Sequence, residues 1–577
     1  MRSIHADAHA SRSVLAIFLA VLQFLFLLTV FTSASAVALP TRDIHLVALN
    51  DFHGQLEAQD KLIASQGQAS RTIRVGGIDT IAGALRDWRA EDAQLLFVGA
   101  GDLLGASPAL SSLWADEPTI DALNALGLRF SAVGNHEFDR GTQELQRLQQ
   151  GGCSTPVAGK SCQLRGQFGG ARFTYLAANV LRADDGRPWL PPYRIEEVKG
   201  LRIAFIGAVL RESAQLVNPS GITSVRFVDE VAAINQQVRT IQSGADVAAI
   251  VLLLHQGGAT SEAFDQTDCT QLKGPVVDLV RRLDPAISLV ISGHTHEGYT
   301  CRIDGRVVTQ AAAFGHALTR ITMRFTQPEL QLQSISAHNE MMAQARFNAD
   351  PAMRHFLDDL RQRSKTELAR PIARLATGVL SHLPNAAGES PLGAVASDAQ
   401  LAATRALGAQ IAFINSSSIR TTLDAEAVPP HRVNYAQLAA THPYANSLIL
   451  MSLNGAQLRA LLEQQSLLAD AEQLRRTLQV SAGFFYAWDA TKAPGERIIA
   501  SSMRLHGVTI DPARIYRISV NSYMANGGEG YTVLKEGIDK IDSGIIDLEA
   551  ITDYLIAQDQ AGQPAGSLDA ARVVRMH

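Results

Sequence analysis

The chain has 577 residues, 46% of them hydrophobic and 19% charged, which is enough to bury large cores and argues for at least two globular domains. Its formal net charge is −5, and no Lys/Arg block interrupts the sequence. That balance argues against a nucleic-acid polymer as the main partner and leaves mononucleotides open.

At the N-terminus, Arg2 and Arg12 precede the apolar run Val14 to Phe31, which is followed by the small residues Ala34-Ser35-Ala36. Residues 1–36 are expected to be a secretory signal peptide. A run of 18 residues lies near the lower limit for spanning a bilayer, so an uncleaved N-terminal anchor is the competing reading. Cleavage would leave a periplasmic or secreted protein without a stable membrane partner. All four cysteines fall in the exported part. Cys153 with Cys162 and Cys269 with Cys301 are the nearest pairings, although spacing alone does not fix connectivity.

From Asp43 to about Thr326, short apolar runs alternate with amphipathic stretches. "IHLVALND", "LLFVGAGD", "FSAVGNHE", "VAAIVLLLHQGG" and "AISLVISGHTH" each read as a buried strand of an α/β or α+β layered domain. Ile78, Ile81, Ala82 and Leu85 recur at helical spacing between the first two. Residues 42–335 are assigned to this domain and 336–370 to a polar linker helix. Residues 371–560 form a second domain that mixes helical and strand-like segments.

Each of the five runs ends in a carboxylate, amide or imidazole: Asp51 and His53, Asp102, Asn135 and His136, His255, and His294 with His296. One histidine after an apolar run is ordinarily structural. Eight such residues on five strand ends are a site, because loops beyond parallel strand C-termini share one sheet edge. Aspartates, imidazoles and an amide without thiolates form a mixed oxygen and nitrogen donor set for two divalent ions, with Asp102 the candidate bridge. Manganese, zinc, cobalt, iron and calcium all suit such donors.

"DFHG", "GD", "GNHEFD", the histidine after an apolar run and "GHTH" resemble the five blocks of calcineurin-like metallophosphoesterases, in the subgroup of secreted 5'-nucleotidases and UDP-sugar hydrolases. The resemblance implies a four-layer β-sandwich flanked by helices, followed by an α+β 5'-nucleotidase C-terminal domain. It also implies that Asp51, His53, Asp102 and His296 hold one metal and that Asp102, Asn135, His255 and His294 hold the other. His136 would stay off the metals and stabilise charge on the phosphoryl or leaving oxygens, with Asp139 holding its ring protonated. Glu137, Phe138 and His316 are read as structural.

In the second domain "FINSSSIR", "THPYANSL" and "MANGGEGYTVLKE" resemble the nucleotide-binding blocks of that family. Carried over residue by residue, Tyr444 and Tyr531 would stack on the base, Asn415 and Arg420 would hold polar groups, and Glu536 would contact the ribose. Ser416 to Ser418 stand where the family has glycines, and Gly388 stands near a usual arginine. Kinship also implies that this domain swings about a hinge within Asp358 to Arg370. The expected activity is release of phosphate from nucleoside 5'-monophosphates, with UDP-sugar hydrolysis as an addition. The alternatives are a 2',3'-cyclic-nucleotide 2'-phosphodiesterase/3'-nucleotidase, a sulfur-oxidation hydrolase of the same architecture, and a catalytically decayed exported binding module.

Overall fold

The computed structural model describes residues 40–63, 71–154, 160–217, 219–444, 446–465, 477–566 and 570–576. The expected signal segment lies outside them, and among the described residues no helix is long and apolar enough to cross a membrane.

The N-terminal half contains two six-stranded sheets. The first runs in the order Leu332–Met341, Ala317–Thr326, Thr41–Leu49, Leu96–Ala100, Leu128–Ala132, Thr174–Leu176, and its last four strands are parallel. The second runs Gly298–Ile303, Arg306–Ala311, Ile287–Ser292, Ala249–His255, Leu201–Val209, Tyr193–Val198. Its four central strands are parallel, and each edge strand pairs antiparallel.

The run "AIVLLLH" shows why the sheets stack. Val251 and Leu253 point into the layer between the sheets, against Leu46, Val98, Phe130 and Ile291. Leu252 and Leu254 point the other way, onto Ile234, Val238 and Ile241 of the helix Glu230–Gly244 and Val280 of the helix Pro275–Arg281. A strand buried on both faces needs a continuous apolar run, because side chains alternate between faces. The helix Ile78–Glu91 covers the outer face of the first sheet through Ile78, Ile81 and Leu85. The result is the expected four-layer helix–sheet–sheet–helix sandwich.

The C-terminal half is built on a five-stranded sheet, in the order Leu478–Val480, Ile411–Asn415, Ile515–Asn521, Ser447–Asn454, Ile538–Ile546. The helix Pro391–Thr404 packs on it, with Asp547–Gln560 beyond. The helix Pro351–Leu368 is not a free linker. Met353, Leu357 and Leu360 are buried in the first domain's core, and Ser364 Oγ accepts a 2.8 Å hydrogen bond from Trp114 Nε1. Most of the hinge segment expected from kinship is therefore fastened to the N-terminal half. Both nearest-neighbour cysteine pairs, Cys153–Cys162 and Cys269–Cys301, are disulfides.

Leu253 is fully buried between the sheets. Leu253→Ala is expected to destabilise this domain by about 2–5 kcal/mol, through lost transfer energy plus a cavity. Urea unfolding followed by tryptophan fluorescence measures this as a lower midpoint with an unchanged slope.

Candidate metal centre

The five motif strands end along one edge shared by both sheets, and the loops beyond them are knitted together through backbone. Asp51 N donates to Gly101 O at 3.0 Å, His53 N to Asp102 O at 2.9 Å, and Phe314 N to Asp51 O at 2.7 Å. Glycine is required where these loops touch. A Cβ on Gly101, at φ +85°, would come within 2.6 Å of His255 Nδ1, and one on Gly134 would overlap Asp102 Oδ1.

Backbone strain concentrates here. Asp51, His53, Asp102, His294 and His296 have φ of 48°, 49°, 49°, 79° and 60°, in the left-handed region that side chains other than glycine rarely adopt. Each such residue costs on the order of 1–3 kcal/mol and persists where surrounding structure imposes it, typically at a functional site.

The side chains converge in overlapping clusters whose donor atoms lie within 4.8 Å of one another: Asp51–His53–His296, Asp102–His255–His294, and a third in which His136 joins His53 and Asp102. Asp102 Oδ2 lies 2.9 Å from His255 Nε2 and 3.9 Å from His53 Nε2. Asp51 and Asp102 are buried, and among the described residues their ion-pair partners are histidines alone. Buried carboxylates need a cation or a proton, and burial pushes Asp51 up to about 7.

The imidazoles are prepared as donors of lone pairs. His53 Nδ1 bonds Gly105 O at 2.9 Å and His255 Nδ1 bonds Ala100 O at 2.8 Å, which turns each Nε2 into the cluster. Burial holds His53 well below the usual histidine range. Burial, helped by the neighbouring His255, lowers His294 to about 4; burial, helped by Arg420, lowers His296 to about 3. His53 Nε2 stands 3.0 Å from His296 Nε2, close enough for one ring to donate to the other, and both nitrogens face the same space. Asn135 Oδ1 is buried without a hydrogen-bond partner among the described residues, whereas the His255 ring, facing Asp102 Oδ2 through Nε2 at 2.9 Å, has its burial outweighed by that carboxylate and is held up at about 9. The orphaned amide oxygen of Asn135, the neutral rings of His53, His294 and His296, and two buried carboxylates whose counter-charge comes only from imidazoles among the described residues fit divalent cations.

His136 is in the opposite state. Its burial is outweighed by Asp139 and Asp102, which hold the ring up at about 9. Its Nδ1 lies 2.8 Å from Asp139 Oδ2, and its backbone N–H donates to Asp102 Oδ1 at 2.8 Å. His316, in contrast, bonds Gln59 Oε1 at 2.8 Å outside these clusters.

The second domain reaches the same place. Tyr444 stacks on His136, with centroids 5.8 Å apart and planes at 22°. Arg420 donates to Tyr444 OH at 3.3 Å and lies 5.4 Å over the Phe314 ring. Asn415 is buried at the end of its strand, bonded to Ser417, Ser418, Asn521 and Glu529. The triple serine thus replaces glycine flexibility with hydroxyls that fasten this turn. Beside the centre, between the domains, a cavity of about 1910 Å³ is lined in part by Asp139, Arg140 and Tyr435.

Two residues carried over from the resemblance are placed elsewhere. Tyr531 is 1% exposed within the domain core, so its ring has no face open to a base. Glu536 is exposed and pairs with Gln457 at 3.4 Å, just past the strand Ser447–Asn454. Leu448 is opposite Asn521 and Asn454 opposite Ile515, so that end lies about 20 Å along the strand from the Asn415 end. Tyr523 and Glu529 were missed, and both sit at the Asn521 end. The half-buried Tyr523 ring lies on Gly528, where a Cβ would come within 2.5 Å of it. Glu529 accepts from Asn415 Nδ2 at 2.8 Å and from Ser417, while its Oε2 has no hydrogen-bond partner among the described residues. The signal was present in "NSYMANGGEGY": an aromatic and an acid bracket the glycine pair, ahead of the tyrosine chosen from sequence.

A two-sheet sandwich with carboxylates and imidazoles along one edge, joined to a second mixed domain that covers them, defines a class of two-domain hydrolase. Residues 44–298 match the family profile of calcineurin-like phosphoesterases, and residues 371–536 match that of the 5'-nucleotidase C-terminal domain. The chain belongs to this combined family, whose members are metal-dependent hydrolases of phosphoric esters. It is 27% identical to the endonuclease YhcR of Bacillus subtilis over 90% of this chain but 40% of that protein, and so spans less than half of that relative's length. It is 23% identical to a 5'-nucleotidase of Vibrio cholerae, over 90% of this chain and 91% of the relative. The crystal structure of a 5'-nucleotidase precursor from Thermus thermophilus superposes with a TM-score of 0.68 at 25% identity, covering 93% of this chain and 100% of that one.

Because a methyl group at Gly134 has no space beside Asp102, Gly134→Ala is expected to displace the carboxylate and reduce turnover about 10²-fold, the usual effect of a misplacement near 1 Å. Phosphate release together with metal content by mass spectrometry checks this.

Proposed function

We propose that the protein is an exported phosphoester hydrolase using two divalent metal ions, which releases phosphate from nucleoside 5'-monophosphates and accepts UDP-sugars as additional substrates. The observation that carries the reading is the convergence of two buried aspartates and four imidazoles, the aspartates having no lysine or arginine ion-pair partner among the described residues. Asp51, His53, Asp102 and His296 would hold one ion, and Asp102, Asn135, His255 and His294 the other. Divalent ions held there supply Lewis acidity toward phosphoryl oxygens and a hydroxide equivalent at neutral pH.

The chain's own residues supply the rest. His136, kept protonated by Asp139, donates to the oxygen on which charge develops as the ester bond breaks. Arg420 neutralises the anion from the second domain. Tyr444 and Tyr523 emerge at one end of the C-terminal sheet, where they would offer π-faces to a base of any identity. Glu529, whose Oε2 has no hydrogen-bond partner among the described residues, takes the ribose role first given to Glu536. Export is supported by the two disulfides, which persist in oxidising compartments; an N-terminal membrane anchor is the alternative.

A second reading, hydrolysis of phosphodiesters such as 2',3'-cyclic nucleotides, is favoured by the similarity to an endonuclease. Phosphate release from AMP, UMP, UDP-glucose, cyclic AMP and bis-p-nitrophenyl phosphate, with and without added manganese, separates the two. Full activity on AMP after complete demetallation would refute both.

His136→Ala is expected to bind metal as the native protein does yet lose about 10²–10⁴-fold in kcat on AMP, the range for a removed general acid. Tyr523→Ala should weaken AMP by about 1–3 kcal/mol of stacking, read as a raised KM, while p-nitrophenyl phosphate is turned over nearly as before.

A further inference from the structure

We propose that Glu137 is a positioning residue that sets the spacing of the candidate metal ligands through backbone amides. Its side chain is buried, and its hydrogen bonds go to backbone amides and Tyr175 OH, with none to the seven candidate ligand side chains. Instead it gathers donors from two loops that come from different strands. Oε2 accepts from Asp102 N at 2.9 Å and from Gly134 N at 2.5 Å. Oε1 accepts from Leu103 N at 2.8 Å and, at longer range, from Leu104 N at 3.4 Å and Tyr175 OH at 3.5 Å. Three successive amides and a fourth from the next loop form a concave nest around one carboxylate.

The tie is reciprocal. Glu137 belongs to the turn that follows Asn135 and takes the Asp102 amide; the same turn returns the His136 N–H to Asp102 Oδ1 at 2.8 Å. Asp102 is therefore gripped at its backbone by one side of the turn and at its side chain by the other, leaving Oδ2 toward His255 and His53. Asn135, two residues before Glu137, is carried by the same unit. One carboxylate thereby fixes the separation of Asp102 from Asn135. It also stabilises the left-handed backbone of Asp102, whose N–H would otherwise be buried without an acceptor.

Replacing Glu137 by glutamine keeps the volume but converts one acceptor into an NH₂ donor. Two of the four amide bonds are then replaced by donor-to-donor contacts. The inference rests on the metal reading, and its test separates the two. EDTA-stripped native protein and Glu137→Gln are titrated with Mn²⁺ by calorimetry, with circular dichroism confirming equal folding. Outer residues that orient metal ligands typically contribute 10–100-fold in affinity. The expected result is Mn²⁺ binding at least tenfold weaker in the variant; a smaller change in folded protein overturns the assignment. Should Glu137→Gln not fold, Glu137→Asp, one methylene short of the nest, carries the same criterion. Native protein that binds no Mn²⁺ would instead end the metal reading itself.

Discussion

Two aspartates, Asp51 and Asp102, are buried at one sheet edge with histidines as their only ionic partners among the described residues, and the surrounding structure is arranged around that fact. Burying an ion costs several kcal/mol even after a protein relaxes, and no arginine or lysine offsets it here. Left-handed backbone at five of the seven candidate ligands adds further cost. A chain that accumulates both penalties in one place gains something there, and cation binding restores the balance. The double sandwich follows from the same need. Asp51, Asp102 and Asn135 come from one sheet and His255, His294 and His296 from the other, so neither sheet alone could complete the set.

The same pocket holds its imidazoles in two different states, and local charge decides which. His294 and His296 are half-buried, with no carboxylate bonded to the ring's far nitrogen among the described residues, and desolvation keeps them neutral. His136 is half-buried as well, yet Asp139 bonds its Nδ1 and Asp102 adds its field, so the charged form prevails. A neutral ring can serve as a ligand and a charged one as an acid; His255, held up at about 9 by Asp102 across 2.9 Å, has to exchange that proton for a cation before it can serve as a ligand. The pair His136 and Asp139, three apart in sequence, thus sets a charged ring beside a neutral one, the His53 and His136 centroids being 5.0 Å apart.

The first domain was legible because its physics is local and repeated. Doubly buried parallel strands need unbroken apolar runs, and their polar ends fall on one edge, so the spacing in "LNDFHG" or "GNHEFD" already implied convergence. Glu137 escaped for the opposite reason: its partners are main-chain amides, which carry no sequence signature. The second domain was harder. Both tyrosines in "SYMANGGEGY" flank glycines, and periodicity does not say which ring is enclosed. That depends on where the strand Ile515–Asn521 stops. It stops before Tyr523, leaving that ring at the sheet end with Asn415, and the chain then dives so that Tyr531 enters the core. Glu536 was misplaced by the same error, continued five residues further.

The two halves are held together over the site by weaker forces than those within it. A stacked ring pair such as Tyr444 with His136 is worth about 0.5–1.5 kcal/mol, and an exposed guanidinium over Phe314 about 0.5–1 kcal/mol. By contrast, the ligand loops are tied by buried backbone bonds and backed by the sandwich core. The helix Pro351–Leu368 belongs with the rigid half, since its apolar face is buried in that core. Any change in the relative orientation of the domains has to be absorbed after Leu368, where Arg370 O accepts from Tyr435 N and the Arg370 guanidinium lies over the Tyr435 ring. Strong contacts thus preserve the geometry that a cation demands, and weak ones close the second domain above it, which lets Arg420 and Tyr444 withdraw without disturbing Asp102.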